Sequence, residues 1–189
     1  MKLTGICVVL SLFILADGQS EPDFRNVNWG MSKDQVLAAE ESKLTINDGD
    51  TIFYTTEVAG LKSDLVYSFL DGELVRAAYM VDEKYSNSAR HYDNYLKVKE
   101  LLSGKYGTAV TTQDCKWGSS YFQENPNTWG LALEAGQMSC FSKWTLPNTE
   151  IALGLRGDQG KVGMYIGYLS LKHKPATKAS ETKNLSKGL

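Results

Sequence analysis

Three runs rich in Thr, Val, Tyr, Phe and Ile, namely Thr51 to Ala59, Lys62 to Leu70 and Glu73 to Val81, are separated by only two residues each. The connections are Gly60-Leu61 and Asp71-Gly72. The second supplies the residue types that tolerate positive φ at both turn positions, which is the strongest short-range hairpin signal a sequence carries. Half-buried strands favour the β-branched and aromatic residues that dominate these runs. Strands joined this tightly pair antiparallel, because a parallel neighbour needs a crossover of a dozen or more residues.

A helix signal precedes the strands. Ser32 fits an N-cap, Gln35 three residues on completes a capping box, and Val36, Leu37, Ala38 and Ala39 supply a short helix ending near Glu41. Trp29 and Met31 stand before the cap, placed to staple the helix onto the sheet. The plan then repeats. Asn87-Ser88 cap a longer helix expected to reach about Ser103 and to be ended by Gly104. Its apolar face is Tyr92, Tyr95, Leu96, Val98, Leu101 and Leu102. A strand reaching Trp117 follows, then a loop around Asn125-Pro126-Asn127. Trp129 to Ala135 fits either a helical turn or a strand, and Cys140 to Thr145, Glu150 to Leu155 and Lys161 to Ser170 read as strands. Leu146-Pro147-Asn148 and Gly157 to Gly160 supply their turns. Strand runs punctuated by helices predict an α+β fold of two tandem helix-plus-antiparallel-sheet blocks, αβββ–αββββ-like, at about 24–84 and 87–171.

The ends read differently. Residues 1–20 have the form of a secretory signal peptide: Lys2, an apolar run of eleven residues from Ile6 to Ala16, and small residues that set cleavage after Gly18 or Ser20. The run falls short of the ~20 residues a membrane span needs, so the mature protein is expected to hold no integral span. Cys7 sits too early in the run, behind Ile6, to be a lipidation site. Removal of this segment leaves Cys115 and Cys140, which in an oxidising compartment are most simply a disulfide. From Lys172 to Leu189 five lysines accompany almost no large apolar residue. That segment predicts a disordered basic tail, 172–189, after a single domain at 21–171.

Chemistry is sparse. With 20 basic against 22 acidic residues there is no basic excess to support nucleic-acid binding. No Gly-x-Ser-x-Gly occurs, the histidines are only His91 and His173, and His173 borders the tail. Gly154, Gly157 and Gly160 precede a strand, not a helix, so they are no phosphate loop. Asp48 with Asp50, and Asp82 with Glu83, are the paired carboxylates that could serve glycoside or cell-wall cleavage, but the first pair lies in a turn and the second ends a strand. No cofactor, catalytic residue or metal ligand is assigned. The aromatic residues remain: Trp117, Tyr121, Phe122 and Trp129 are the candidate binding residues, with Tyr121-Phe122 beside the Pro126 loop expected to be exposed.

The chain resembles a group of small exported bacterial proteins with no established activity. The resemblance rests on Phe24, Arg25, Trp29, Gly30, Met31 and Ser32 (a Phe-Arg-x-x-x-Trp-Gly-Met-Ser opening), then Leu102, Lys105, Tyr106 and Gly107, then Lys143, Trp144, Pro147, Thr149 and Ile151, over nearly all of residues 24–171. Leu146 departs from the polar residue more usual there. In outline the two blocks are also similar to tandem-repeat β-lactamase-inhibitor-like modules and small outer-membrane assembly lipoproteins, an architectural likeness alone. The expectation is an exported, periplasmic or extracellular, non-enzymatic binding module of the cell envelope, with an envelope protein or a glycan as partner. The alternatives are an envelope hydrolase using paired carboxylates and a structural assembly factor.

Overall fold

The computed structural model describes residues 21–110 and 115–186. The expected signal peptide, its cleavage sites and Cys7 lie outside the described residues. The chain folds as α+β around one 8-stranded antiparallel sheet. Helix α1 (Lys33–Ala39) is followed by β1 (Lys43–Asp48), β2 (Thr51–Val58), β3 (Leu61–Leu70) and β4 (Glu73–Val81). Helix α2 (Ala89–Tyr106) opens the second block, followed by β5 (Cys115–Trp117), α3 (Ser120–Glu124), a 3₁₀ turn at Pro126–Thr128 and α4 (Trp129–Glu134). Strands β6 (Met138–Thr145), β7 (Thr149–Asp158) and β8 (Lys161–Ser170) complete the sheet, and helix α5 (Lys174–Ser186) follows.

The strand order is β1-β2-β3-β4-β8-β7-β6-β5, so each block contributes a four-stranded meander and the last strands of the two meanders meet at the centre. The β2–β3, β3–β4 and β7–β8 turns all have positive φ at both central residues: Ala59-Gly60, Asp71-Gly72 and Gln159-Gly160. This geometry matches the right-handed twist of paired strands. The first turn is therefore Ala59-Gly60, one residue earlier than the expected Gly60-Leu61, and Leu61 begins β3 with its side chain buried. Alanine is strained at φ 54. Ala59→Asn is expected to raise stability by about 0.5 kcal/mol, since Asn-Gly is the favoured pair in such turns. A urea midpoint equal to or below that of the parent chain would count against this assignment.

The Ser32/Gln35 capping box forms as expected. Helix α2 differs at both ends. It runs past Gly104 to Tyr106, and Gly107, at φ 83, ends it by donating to the Ser103 carbonyl. At its start Ser88 Oγ turns to Glu134 while Asn87 Oδ1 accepts from Ala89 N at 3.0 Å. The ambiguous stretch from Trp129 is the helix α4. Strand β1 was not anticipated: its alternation over Lys43-Leu44-Thr45-Ile46-Asn47 is short, and all six residues are exposed.

One face of the sheet is covered. Phe24 packs edge-on to Tyr67 and tilted against Tyr79 and Tyr168, Val36 of α1 is buried, and Tyr95, Val98 and Leu102 of α2 with Ala132 and Leu133 of α4 close the other half. The opening motif is used structurally throughout. Gly30 N donates to Leu74 O and Leu74 N to Met31 O, Trp29 Nε1 donates to Thr149 Oγ1 at 2.8 Å, and Arg25 reaches Glu40.

The expected disordered tail is corrected for residues 174–186, which form α5. Two polar anchors that a tally of apolar residues overlooks hold its start. His173 bridges Ser170 Oγ and Glu73 Oε2 at 2.9 and 3.0 Å, and its carbonyl accepts from Thr177. Lys174 Nζ reaches Glu150 Oε2 at 2.7 Å.

Candidate functional site

An antiparallel sheet with one covered face ordinarily turns polar residues outward from the other. Here two neighbouring register rows of the central strands carry outward positions that are apolar or lack a side chain, bounded by Asp64 on β3 in the first and by Lys143 on β6 in the second. One register row reads Phe141, Gly154, Tyr165, Met80 across β6, β7, β8 and β4. The next reads Ala152, Gly167, Ala78, Val66, Phe53 across β7, β8, β4, β3 and β2. Met80, on the central strand β4, is 48% exposed, and Phe141, on β6 just beyond its pairing with β5, is 41% exposed.

The glycines shape this surface. The Tyr165 ring lies across Gly154, where an added Cβ would come within 2.2 Å of it, so the missing side chain lets the ring lie down on the strand. At Gly163, by contrast, an added Cβ would meet nothing within 4 Å. The result is an open concavity of about 1180 Å³, bordered by Phe141, Tyr165, Met80 and the Gly136 and Gly157 backbone.

Cations border the apolar floor. Lys116, Ser139, Arg156 and Gly163 form the register row beyond Phe141 and Tyr165. With Lys161 at the β7–β8 turn, three cations line the concavity against one carboxylate, Asp158, in a chain whose formal net charge is -2. No ion pair joins Lys116, Arg156 or Lys161 to a carboxylate among the described residues. Further along the same face Glu150 lies between Lys143 at 3.3 Å and Lys174 at 2.7 Å. Burial pushes its carboxyl upward, but hydrogen bonds and charge from the two lysines prevail and hold it below the usual value.

The four aromatic residues expected to bind are brought together, though only in part as a surface. Trp117 and Trp129 pack at 5.3 Å, Trp129 stands edge-on to Tyr92 at 5.0 Å, and its Nε1 donates to Phe122 O. Trp117, Phe122 and Trp129 are thus half-buried against the core, and Tyr121, at 61% exposure, is the member that faces solvent.

The carboxylate pairs lie apart from the concavity. Asp48 and Asp50 flank Gly49 in the exposed β1–β2 turn, and Glu83 accepts from Lys62 N while Asp82 N donates to Lys62 O. Ser170, His173 and Glu73 have the composition of a nucleophilic relay, but the Ser170 side chain is fully buried and no substrate carbonyl could reach it. His91 packs edge-on to Tyr85; its burial lowers its pKa, partly opposed by Glu134 and Glu83. Among the described residues no three His, Cys, Asp or Glu side chains converge as a metal site.

Reasoning from sequence missed the open face. The available signal was the outward parity of Ala152, Gly154, Gly163 and Gly167, positions where an exposed strand would normally carry Thr, Lys or Glu. Comparison with protein-family models, with curated proteins and with solved structures finds no match to this chain.

Proposed function

We propose that the protein is an exported binding module of the cell envelope, acting without chemistry of its own, whose recognition surface is the open face of its sheet. The observation that carries this is the apolar row Phe141–Gly154–Tyr165–Met80, with Phe141 and Met80 exposed, beside Lys116 and Arg156, which no ion pair joins to a carboxylate among the described residues. Exposed apolar area of this kind, rimmed by polar groups, marks interaction sites. Export is supported by the disulfide; among the described residues no helix is long and apolar enough to cross a membrane. The Tyr121 patch is the competing surface.

Lysine footprinting separates them without knowledge of the ligand. Amine-reactive labelling of the protein in intact envelopes, compared with the isolated protein, is expected to show protection of Lys116 and Lys161 but unchanged labelling of Lys97 and Lys105 on α2. The same sample should begin after Gly18 or Ser20. Equal labelling of Lys116 and Lys161 in both states would reject the open face.

A further inference from the structure

Resting on the open-face reading above, we infer that the occupant of the concavity is a protein segment that sets a carboxylate on Lys116 and Arg156 and an apolar side chain against Tyr165 and Phe141. Charge is the first argument. A local excess of cations, unpaired by any carboxylate among the described residues, stands on a chain that is acidic overall. Such segregation selects an anionic partner and disfavours basic ones. Lys116 and Arg156 flank Ser139 in one register row. With strands about 4.8 Å apart, the two cations start about 10 Å from each other, and an acidic side chain fits between them over the small hydroxyl. Arg156 adds a planar fork suited to a carboxylate.

Spacing is the second argument. The aromatic row lies two residues along the strands from the cationic row, about 7 Å away. Neighbouring or next-but-one side chains of a single extended or looped peptide span that distance, so one short segment engages both rows. The space above Gly163, beside Arg156 and Tyr165, can receive its apolar side chain.

Openness is the third. A small-molecule site encloses most of its ligand. Here Phe141 and Met80 stand exposed at the rim, where only a broad surface can cover them. Aromatic residues with Arg at the centre of a patch are also the composition of protein-interface anchors.

The test places a photoreactive amino acid at Ser139, and separately at Tyr121, in the full chain expressed in the cells that make it. The expected result is a protein adduct at 139 whose crosslinked segment is rich in Asp or Glu. That adduct should fall at least tenfold with Arg156→Glu or Lys116→Glu, while each variant keeps the parent melting temperature. A synthetic peptide copying the crosslinked segment should bind the isolated protein with a Kd raised at least tenfold by either reversal. A neutral or basic segment, a glycan or lipid adduct, or an adduct indifferent to both reversals overturns the acidic-segment proposal; if Lys116 and Lys161 are still protected in envelopes, the open face itself stands. An adduct confined to the Tyr121 position, with no such protection, overturns the open-face reading and this inference together.

Discussion

Glu40→Ala is expected to lower the unfolding free energy by about 3 kcal/mol, because it breaks a buried ion pair from one side. The Glu40 side chain is 2% exposed. It accepts from Arg25 Nη2 at 3.0 Å, from Tyr67 Oη at 2.6 Å and from Ser42 N at 2.9 Å. Truncation strands the Tyr67 hydroxyl in the core and removes the carboxylate partner of Arg25, whose backbone sits at φ 48 and whose guanidinium keeps only the Tyr79 and Ser42 hydroxyls. The strained Arg25 conformation is held by the Phe24–Val27 bridge and by this ion pair, so the N-terminal segment should loosen first. Urea denaturation of parent and variant measures the loss; a change under 1 kcal/mol would show that the network is dispensable.

The same carboxylate sets an acid limit. Burial pushes Glu40 upward, but hydrogen bonds from Tyr67 and Ser42 and the Arg25 charge outweigh it, and its pKa in the fold lies below the usual value. Below its folded pKa the carboxylate is protonated in both states and its contribution vanishes. Above the ordinary unfolded value, about 4.3, the contribution is complete. Stability should therefore fall as pH drops from about 5 downward. Glu150 adds a smaller effect of the same sign, as expected for a pair nearer the surface. Glu40→Gln should flatten the pH dependence in that window, and an unchanged acid transition would assign it to other groups.

Loss of the Cys115–Cys140 disulfide should cost a comparable amount, about 3 kcal/mol. The two residues face each other across β5 and β6 with Cα atoms 3.9 Å apart, and the bridge spans a sequence separation of 25. Strand β5 has only three residues, so its own pairing is weak. The closed loop contains α3 and α4 with Tyr121, Phe122 and Trp129. Changing both cysteines to alanine should lower Tm by about 6–12 °C, judged from the usual 2–4 °C per kcal/mol for a chain of this size. Amide exchange should accelerate in β5 and α3 while β2 to β4 keep their protection. Uniform acceleration across the sheet would instead mean that the bridge stabilises the whole domain.

Much of the fold was legible because its signals are local. Asp71-Gly72, the Ser32/Gln35 box and the strand runs each act within a few residues of their own sequence. The disulfide was legible from the count, since setting aside the expected signal peptide leaves only Cys115 and Cys140. The N-terminal motif was visible as a pattern, but its use as a clamp was not, since Trp29 meets Thr149 and Arg25 meets Glu40 only in the folded chain. Strand β1 escaped because its polar–apolar alternation, Lys43-Leu44-Thr45-Ile46-Asn47, is short and is not tied to a buried face: all six of its residues are exposed. Helix α5 escaped because its anchors, Glu73 and Glu150, lie far back in the chain.

The sequence by itself determined the α+β class, the antiparallel hairpins, the two-block order and the cysteine pairing, all of which follow from turn chemistry, side-chain period and residue inventory. Only the tertiary structure decided that β4 meets β8 to make one sheet. It also decided that the Trp117–Trp129 cluster is half-buried and that Lys116, Arg156, Phe141 and Tyr165 share an uncovered face. The reason is that alternation along a strand says which residues point together, whereas the face that helices will cover depends on contacts between segments far apart in the chain.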